Sequence, residues 1–132
     1  MLENLKLVNY FIKEVFAGNV GQLDHIVSTD FAYYLNSNPK KNFSQYGKRM
    51  KLIQQRTTTV IGEVTSNDDI HFHFDFDQQV SGITGEGSTA YAHSEFVVRR
   101  GMLCKIRVNY FKSKKEFGDF QKQVEESRVV LL

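Results

Sequence analysis

The chain has no tryptophan, a single cysteine (Cys104) and a single proline (Pro39). One cysteine excludes an intramolecular disulfide and fits a reducing compartment. No apolar run reaches the roughly 20 residues of a membrane-spanning helix. The opening Met1-Leu2-Glu3-Asn4 lacks a charged-then-apolar leader pattern, so a cytoplasmic protein with no membrane partner is expected. Neither sign of charge dominates: 17 basic residues face 15 acidic ones, for a net +2. That balance argues against a nucleic-acid partner. Lys40-Lys41, Lys48-Arg49 and Lys114-Lys115 read as scattered, solvated pairs.

What the chain does have is phenylalanine, eleven of them in 132 residues, and a hydrophobic fraction of 41%. Phenylalanine supplies area to bury without a hydrogen-bonding group, which suits a core or an apolar cavity. The length fits one domain, 1–132, able to bury a core.

Leu5, Val8, Phe11, Ile12, Val15 and Phe16 recur at helical spacing and predict a first helix with one apolar stripe, ended by Gly18. Asn19 is placed to cap a short second helix with Val20, Leu23, Ile26 and Val27 inward. Phe31 to Asn36 reads as a strand, and 36–41 as a loop around Pro39. Asn42 and Gln45 form a capping-box pair opening a third helix, with Phe43, Tyr46, Met50 and Ile53 on its inner face.

From Thr57 the pattern turns to β. Thr57–Thr65 is rich in β-branched residues. Ser66 to Asp69 is a turn. Ile70–Gln78, Thr89–Val98 and Met102–Phe111 follow as strands, with a glycine-rich loop at Gly82, Gly85 and Gly87. Arg99-Arg100-Gly101 suits a three-residue hairpin loop with Gly101 left-handed. Ser113 and Glu116 form a second capping box, opening a last helix with Phe117, Phe120 and Val124 inward. Val129 to Leu132 is an apolar tail. Helices ahead of an antiparallel meander imply an α+β class, with the helices on one sheet face.

This order, and the segment Tyr10–Phe31 (YFIKEVFAGNVGQLDHIVSTDF), resembles the nuclear transport factor 2-like (SnoaL-like) superfamily. Asn42–Ile53 resembles its third helix, and the strands from Thr57 to Phe111 match in number and spacing. The resemblance implies a cone: a curved antiparallel sheet packed on N-terminal helices around a cavity, here with an extra C-terminal helix. Members include isomerases, cyclases, dehydratases and epoxide hydrolases, and also binding proteins without catalysis. In the ketosteroid isomerase branch a helix tyrosine and a late-strand acid hold the oxyanion, and an aspartate after the first strand is the base. Those positions fall here on Phe11, on Ser94 and on Leu35 or Asn36, so none of the three roles is filled. No inward Asp-Arg-Asp set of the epoxide hydrolase kind is found either. No catalytic residue is assigned and no cofactor is implied.

The alternating strand Ile70–Asp77 shows why both sheet faces matter. Phe72, Phe74 and Phe76 fall on one side; His71, His73, Asp75 and Asp77 fall on the other. A flush hairpin sets His73 opposite His93 and His71 opposite Glu95. The next hairpin sets Phe96 opposite Cys104, Ser94 opposite Ile106, Glu95 opposite Lys105 and His93 opposite Arg107. The apolar face then carries Phe72, Phe74, Phe76, Ala92, Ser94, Phe96, Cys104, Ile106, Val108 and Tyr110. Small residues among the rings suggest a mainly apolar cavity for an unknown small apolar molecule, with Tyr34, Phe74, Ser94, Phe96 and Tyr110 as the ligand-cavity residues. On the polar face, His71, His73, His93 and Glu95 form a competent metal set by residue type. Lys105 and Arg107 beside them would repel a cation, so no metal is assigned there and the metal enzyme stays an alternative. The resemblance makes the face of His71, His73, Tyr91, His93, Glu95 and Arg107 a homodimer contact. The other alternative is a dimeric interaction module with a filled core.

Overall fold

The computed structural model describes residues 2–80 and 88–111. Helix α1 spans Leu2–Phe16 and turns Val8, Phe11, Ile12 and Val15 inward. Its end is a Schellman motif. Gly18, at φ +89°, donates to the Val15 carbonyl, and the Asn19 amide reaches Glu14 at 2.8 Å. The short second helix is not continuous. Two 3₁₀ turns, Val20–Gln22 and Asp24–Ile26, take its place. Asn19 makes no side-chain cap there, because its amide donates to Glu14 Oε2 at 2.8 Å instead. Val20, Leu23 and Val27 still face the core.

Helix α2, Phe43–Arg56, opens on the expected capping box: the Gln45 amide donates to Asn42 Oδ1, and the Asn42 amide to Gln45 Oε1, both at 2.9 Å. Five strands follow or flank the helices: β1 Val27–Leu35, β2 Thr57–Ile61, β3 His71–Val80, β4 Ser88–Arg99 and β5 Met102–Phe111. They form one curved sheet in the order β1-β5-β4-β3-β2. The sheet is mixed: β2 to β5 pair antiparallel, while β1 begins earlier than its sequence pattern suggests and docks parallel on β5. The last helix, the glycine-rich loop and the Val129–Leu132 tail lie outside the described residues.

The β3–β4 register is offset by two residues from the flush pairing, with His73 opposite Glu95, Asp75 opposite His93 and His71 opposite Val97. The β4–β5 turn is tighter than expected. Arg99 pairs with Met102, so only Arg100 and Gly101 form the loop, at φ +55° and +73°. Two left-handed residues in a two-residue loop make a type I′ turn. Together with a bulge in β5, the turn makes Phe96 meet Ile106, Ser94 meet Val108, Glu95 meet Arg107 and His93 meet Asn109. A two-residue offset leaves every side chain on its expected face. Cys104 is the exception. The register shifts at Val97/Val98, which inserts a bulge residue in β5. Leu103 turns inward, 1% exposed, and Cys104 goes to the opposite face, its Sγ 3.3 Å from the Val97 carbonyl.

The core lies between the helices and one sheet face. Phe96 sits at its centre, edge-on to Phe11 (5.6 Å between centroids) and Phe74 (5.3 Å). Phe31 packs edge-on to Phe43, and Phe16 meets Phe76. Phe96→Ala should therefore cost about 3–5 kcal/mol, read from urea unfolding followed by circular dichroism.

Candidate functional site

The inner, helix-covered sheet face is built in rows. Phe74, Ser94 and Val108 are paired across β3, β4 and β5, and Phe76, Ala92 and Tyr110 form the next row. The period of two then brings Gln78 to the same face, beyond Phe76. Phe74, Ser94, Phe96 and Tyr110 thus share the face expected of them. Phe74 and Phe96 are packed ring to ring in the core, Ser94 lies between Phe74 and Val108, and Tyr110, one row further on, borders a polar corner.

Tyr34 does not belong to this set. It pairs in register with Arg107, and its ring stacks under that guanidinium at 4.9 Å and near the Lys105 ammonium at 5.4 Å, on the outer face. Its neighbour Tyr33 takes the inward position, 1% exposed. A one-residue change of parity in β1 separates the two readings. Phe31 and Tyr33, two residues apart, are both buried, so alternation from Phe31 turns Tyr34 outward.

The polar corner has a residue that reads from sequence as solvated surface. Arg49 lies three residues after Tyr46 and four before Ile53, so a helical period places it on the inner stripe of α2. Its Cζ is 6.0 Å from the Tyr110 ring centroid, and its guanidinium interacts with the Tyr33 and Tyr110 hydroxyls. Tyr110 Oη donates to Gln78 Oε1 at 3.0 Å. Tyr46 closes on Tyr33, edge to face, at 4.8 Å. Burial pushes the Tyr33 hydroxyl up to about 12, outweighing the opposing pull of Arg49. Burial likewise raises Tyr110, and raises Tyr46 well above the ordinary tyrosine value. All three hydroxyls keep their protons at neutral pH.

Three buried polar atoms of this face have no hydrogen-bond partner: Arg49 Nε, Gln78 Nε2 and Ser94 Oγ. Gln78 and Ser94 are only 5% and 1% exposed. Buried polar atoms are nearly always satisfied, and each one left open costs on the order of 1–3 kcal/mol. A fourth such atom, Ser28 Oγ, belongs elsewhere, beside an open outer cleft of ≈ 780 Å³ that also includes Cys104, Asp30 and Lys105. A second open cleft of ≈ 570 Å³ runs between Leu5 of α1 and the 64–69 turn.

The outer face is a ladder of neighbours. His93 Nδ1 meets Asp75 Oδ1 at 2.8 Å, His93 Nε2 meets His73 Nδ1 at 3.3 Å, and His73 Nε2 lies 3.8 Å from Glu95. The two imidazoles stack, with centroids 5.4 Å apart. His71 is drawn away to Asp68 at 2.6 Å. The Asp68 carboxylate is held well below the usual range by the His71 amide, the His71 ring and the Ile70 amide. Among the described residues no group of three or more His, Cys, Asp or Glu is placed to hold a metal ion. His71 is engaged in its own turn, and the nitrogens of His73 and His93 point at each other and at carboxylates.

A curved mixed sheet, two helices on one face and a polar corner within that face are together distinctive. The fold is that of the nuclear transport factor 2-like superfamily. Solved structures of that kind superpose over most of both chains. A nuclear transport factor 2-like protein of unknown function from Cytophaga hutchinsonii matches with a TM-score of 0.67 and 7% identity, covering 80% of this chain and 97% of that one. A polyketide cyclase, so described provisionally, from Xanthomonas campestris pv. campestris gives 0.68 and 15%, over 83% and 91%. An LEH-like epoxide hydrolase from M. tuberculosis gives 0.63 and 12%, over 84% of each. The sequence itself matches no family model and no curated protein. Among the described residues no helix is long and apolar enough to cross a membrane.

The buried tyrosines set an alkaline limit on stability. The folded Tyr33 keeps its proton up to about pH 12, while an unfolded tyrosine releases it near 10. Its contribution is complete below pH 10 and is lost as pH rises from 10 to 12, at up to about 1.4 kcal/mol per pH unit. Tyr33→Phe should flatten that part of the fall, measured by chemical unfolding at pH 9, 10 and 11. An identical fall in the variant would place the titrating groups elsewhere.

Proposed function

We propose that this chain binds a small organic molecule on the inner face of its sheet, with an apolar body against the phenylalanines and a polar end at the Arg49–Gln78 corner. The observation that carries this reading is a pair of buried, unpartnered donors, Arg49 Nε and Gln78 Nε2, both beside Tyr110 at the edge of a mainly apolar interior. Ligand sites combine apolar walls with a few convergent polar groups, and this face has that composition. The structural neighbours are consistent with it, since they include proteins described as a polyketide cyclase and an epoxide hydrolase.

Binding is a better reading than catalysis. Among the described residues the inner face carries no carboxylate or histidine, so it has donors for an oxyanion but no base near neutral pH. Tyr110 and Ser94 would orient the ligand by hydrogen bonds. A cytoplasmic location belongs to the same reading, supported by the single cysteine.

Two bicyclic probes test the binding site: 1-naphthalenemethanol and 1-naphthoate. At least one should raise the melting temperature, by an amount equivalent to about 2.7 kcal/mol at 100 times its Kd. Amide and side-chain NMR shifts should concentrate at Phe76, Gln78, Ser94 and Tyr110. No stabilisation, or shifts confined to the outer clefts, would contradict the reading.

The outer face supports a second element of the proposal, a homodimer contact through His71, His73, Tyr91, His93, Glu95 and Arg107. The favouring observation is that its charges are already engaged within the chain, with His93 on Asp75 and Arg107 over Tyr34. A surface that satisfies its own charges loses less on desolvation when it is covered. The double substitution His73→Ala with Glu95→Ala should shift the solution mass toward monomer in sedimentation equilibrium. An unchanged mass would remove this face from the assembly.

A further inference from the structure

Arg49 brings a permanent positive charge to the inner face, and no ion pair of Arg49 with a carboxylate is found among the described residues. Among the described residues the groups around it add no negative charge. Tyr33, Tyr46 and Tyr110 all stay protonated, because burial raises each of them. Gln78 is oriented by the bond from Tyr110 Oη to its Oε1, which leaves Nε2 as the open end. The open groups at this corner are therefore two N–H donors, Arg49 Nε and Gln78 Nε2.

A guanidinium in an apolar setting needs a counter-charge, and a planar carboxylate matches its fork with charge-assisted hydrogen bonds. One guanidinium with neutral donors balances a single negative charge, which favours a monoanion over a phosphate dianion. We propose that the Arg49–Gln78 corner is a carboxylate site and that the ligand is an aromatic or alicyclic carboxylic acid bound as its anion. Its ring system lies toward Phe74 and Phe76, and its carboxylate meets Arg49 Nε and Gln78 Nε2. This rests on the small-molecule reading above and adds the chemical class of the ligand. A neutral alcohol of the same shape would leave the charge on Arg49 unanswered.

Calorimetric titration of the full chain at pH 7 with 1-naphthoate and with 1-naphthalenemethanol decides the matter. Wild-type protein should bind the carboxylate at least about tenfold more tightly. Arg49→Met should erase that preference, with folding checked by circular dichroism, and Arg49→Lys should keep part of it. Equal affinity of the two probes for wild type would overturn the carboxylate proposal while leaving the small-molecule reading intact. Binding of neither would overturn both. A carboxylate preference that survives in a folded Arg49→Met protein would also overturn the proposal, since the charge would then come from elsewhere. The wild-type comparison needs no variant and is decisive even if Arg49→Met does not fold.

Discussion

Strand register is the constraint on which this molecule depends. Along β3, β4 and β5 the inward side chains are mostly apolar, with Ser94 and Gln78 among them, and the outward ones are mostly polar or charged. A slip by one residue would drive His73, Asp75 and Glu95 into the core and expose Phe72, Phe74 and Phe96. A slip by two costs far less, because the faces survive. The chain prevents the first error by chemistry and the second by geometry. The type I′ turn at Arg100-Gly101 and the bulge at Cys104 pin β5, and Asp68 fastens the start of β3 through the Ile70 and His71 amides.

With the register fixed, the two faces have separate roles. The outer face compensates itself: Asp75, His93, His73 and Glu95 form a row, and Arg107 rests on Tyr34. The inner face does not. Helix α2 packs Tyr46 and Met50 against the sheet, and in doing so its third-position neighbour Arg49 is carried in with them. Tyr33 and Tyr110 partly solvate that charge, while Arg49 Nε and Gln78 Nε2 stay open. Two unmet donors thus lie beside Tyr110 at the edge of an aromatic interior.

Much of the fold was legible in the sequence because its signals are local or periodic. The capping box at Asn42, the glycine at position 18 and the alternation from Phe72 to Phe76 each have a direct physical reading, and all reappear in the structure. Long-range choices were less legible. The parallel docking of β1, the two-residue offset of the hairpins and the bulge at Cys104 depend on how strands meet, which no single strand encodes. For the site, Ser94 and Tyr110 followed from alternation, but Tyr34 was chosen where Tyr33 is the inward residue. Arg49 and Gln78 were missed for opposite reasons: a lysine neighbour made Arg49 look like surface charge, and Gln78 ends the phenylalanine row as a polar residue. Extending each period by one step, from Tyr46 to Arg49 and from Phe76 to Gln78, finds both.

The most direct measurement is a crystal structure of the protein grown with 4-bromo-1-naphthoate, using the anomalous signal of bromine to place the ligand. The expected result is a bromine peak between the helices and the inner sheet face, with the carboxylate oxygens about 2.7–2.9 Å from Arg49 Nε and Gln78 Nε2. A ligand ordered only on the outer face or in the open clefts, with Arg49 Nε and Gln78 Nε2 bonded to groups of the chain itself, would contradict the assignment of the inner corner as the binding site.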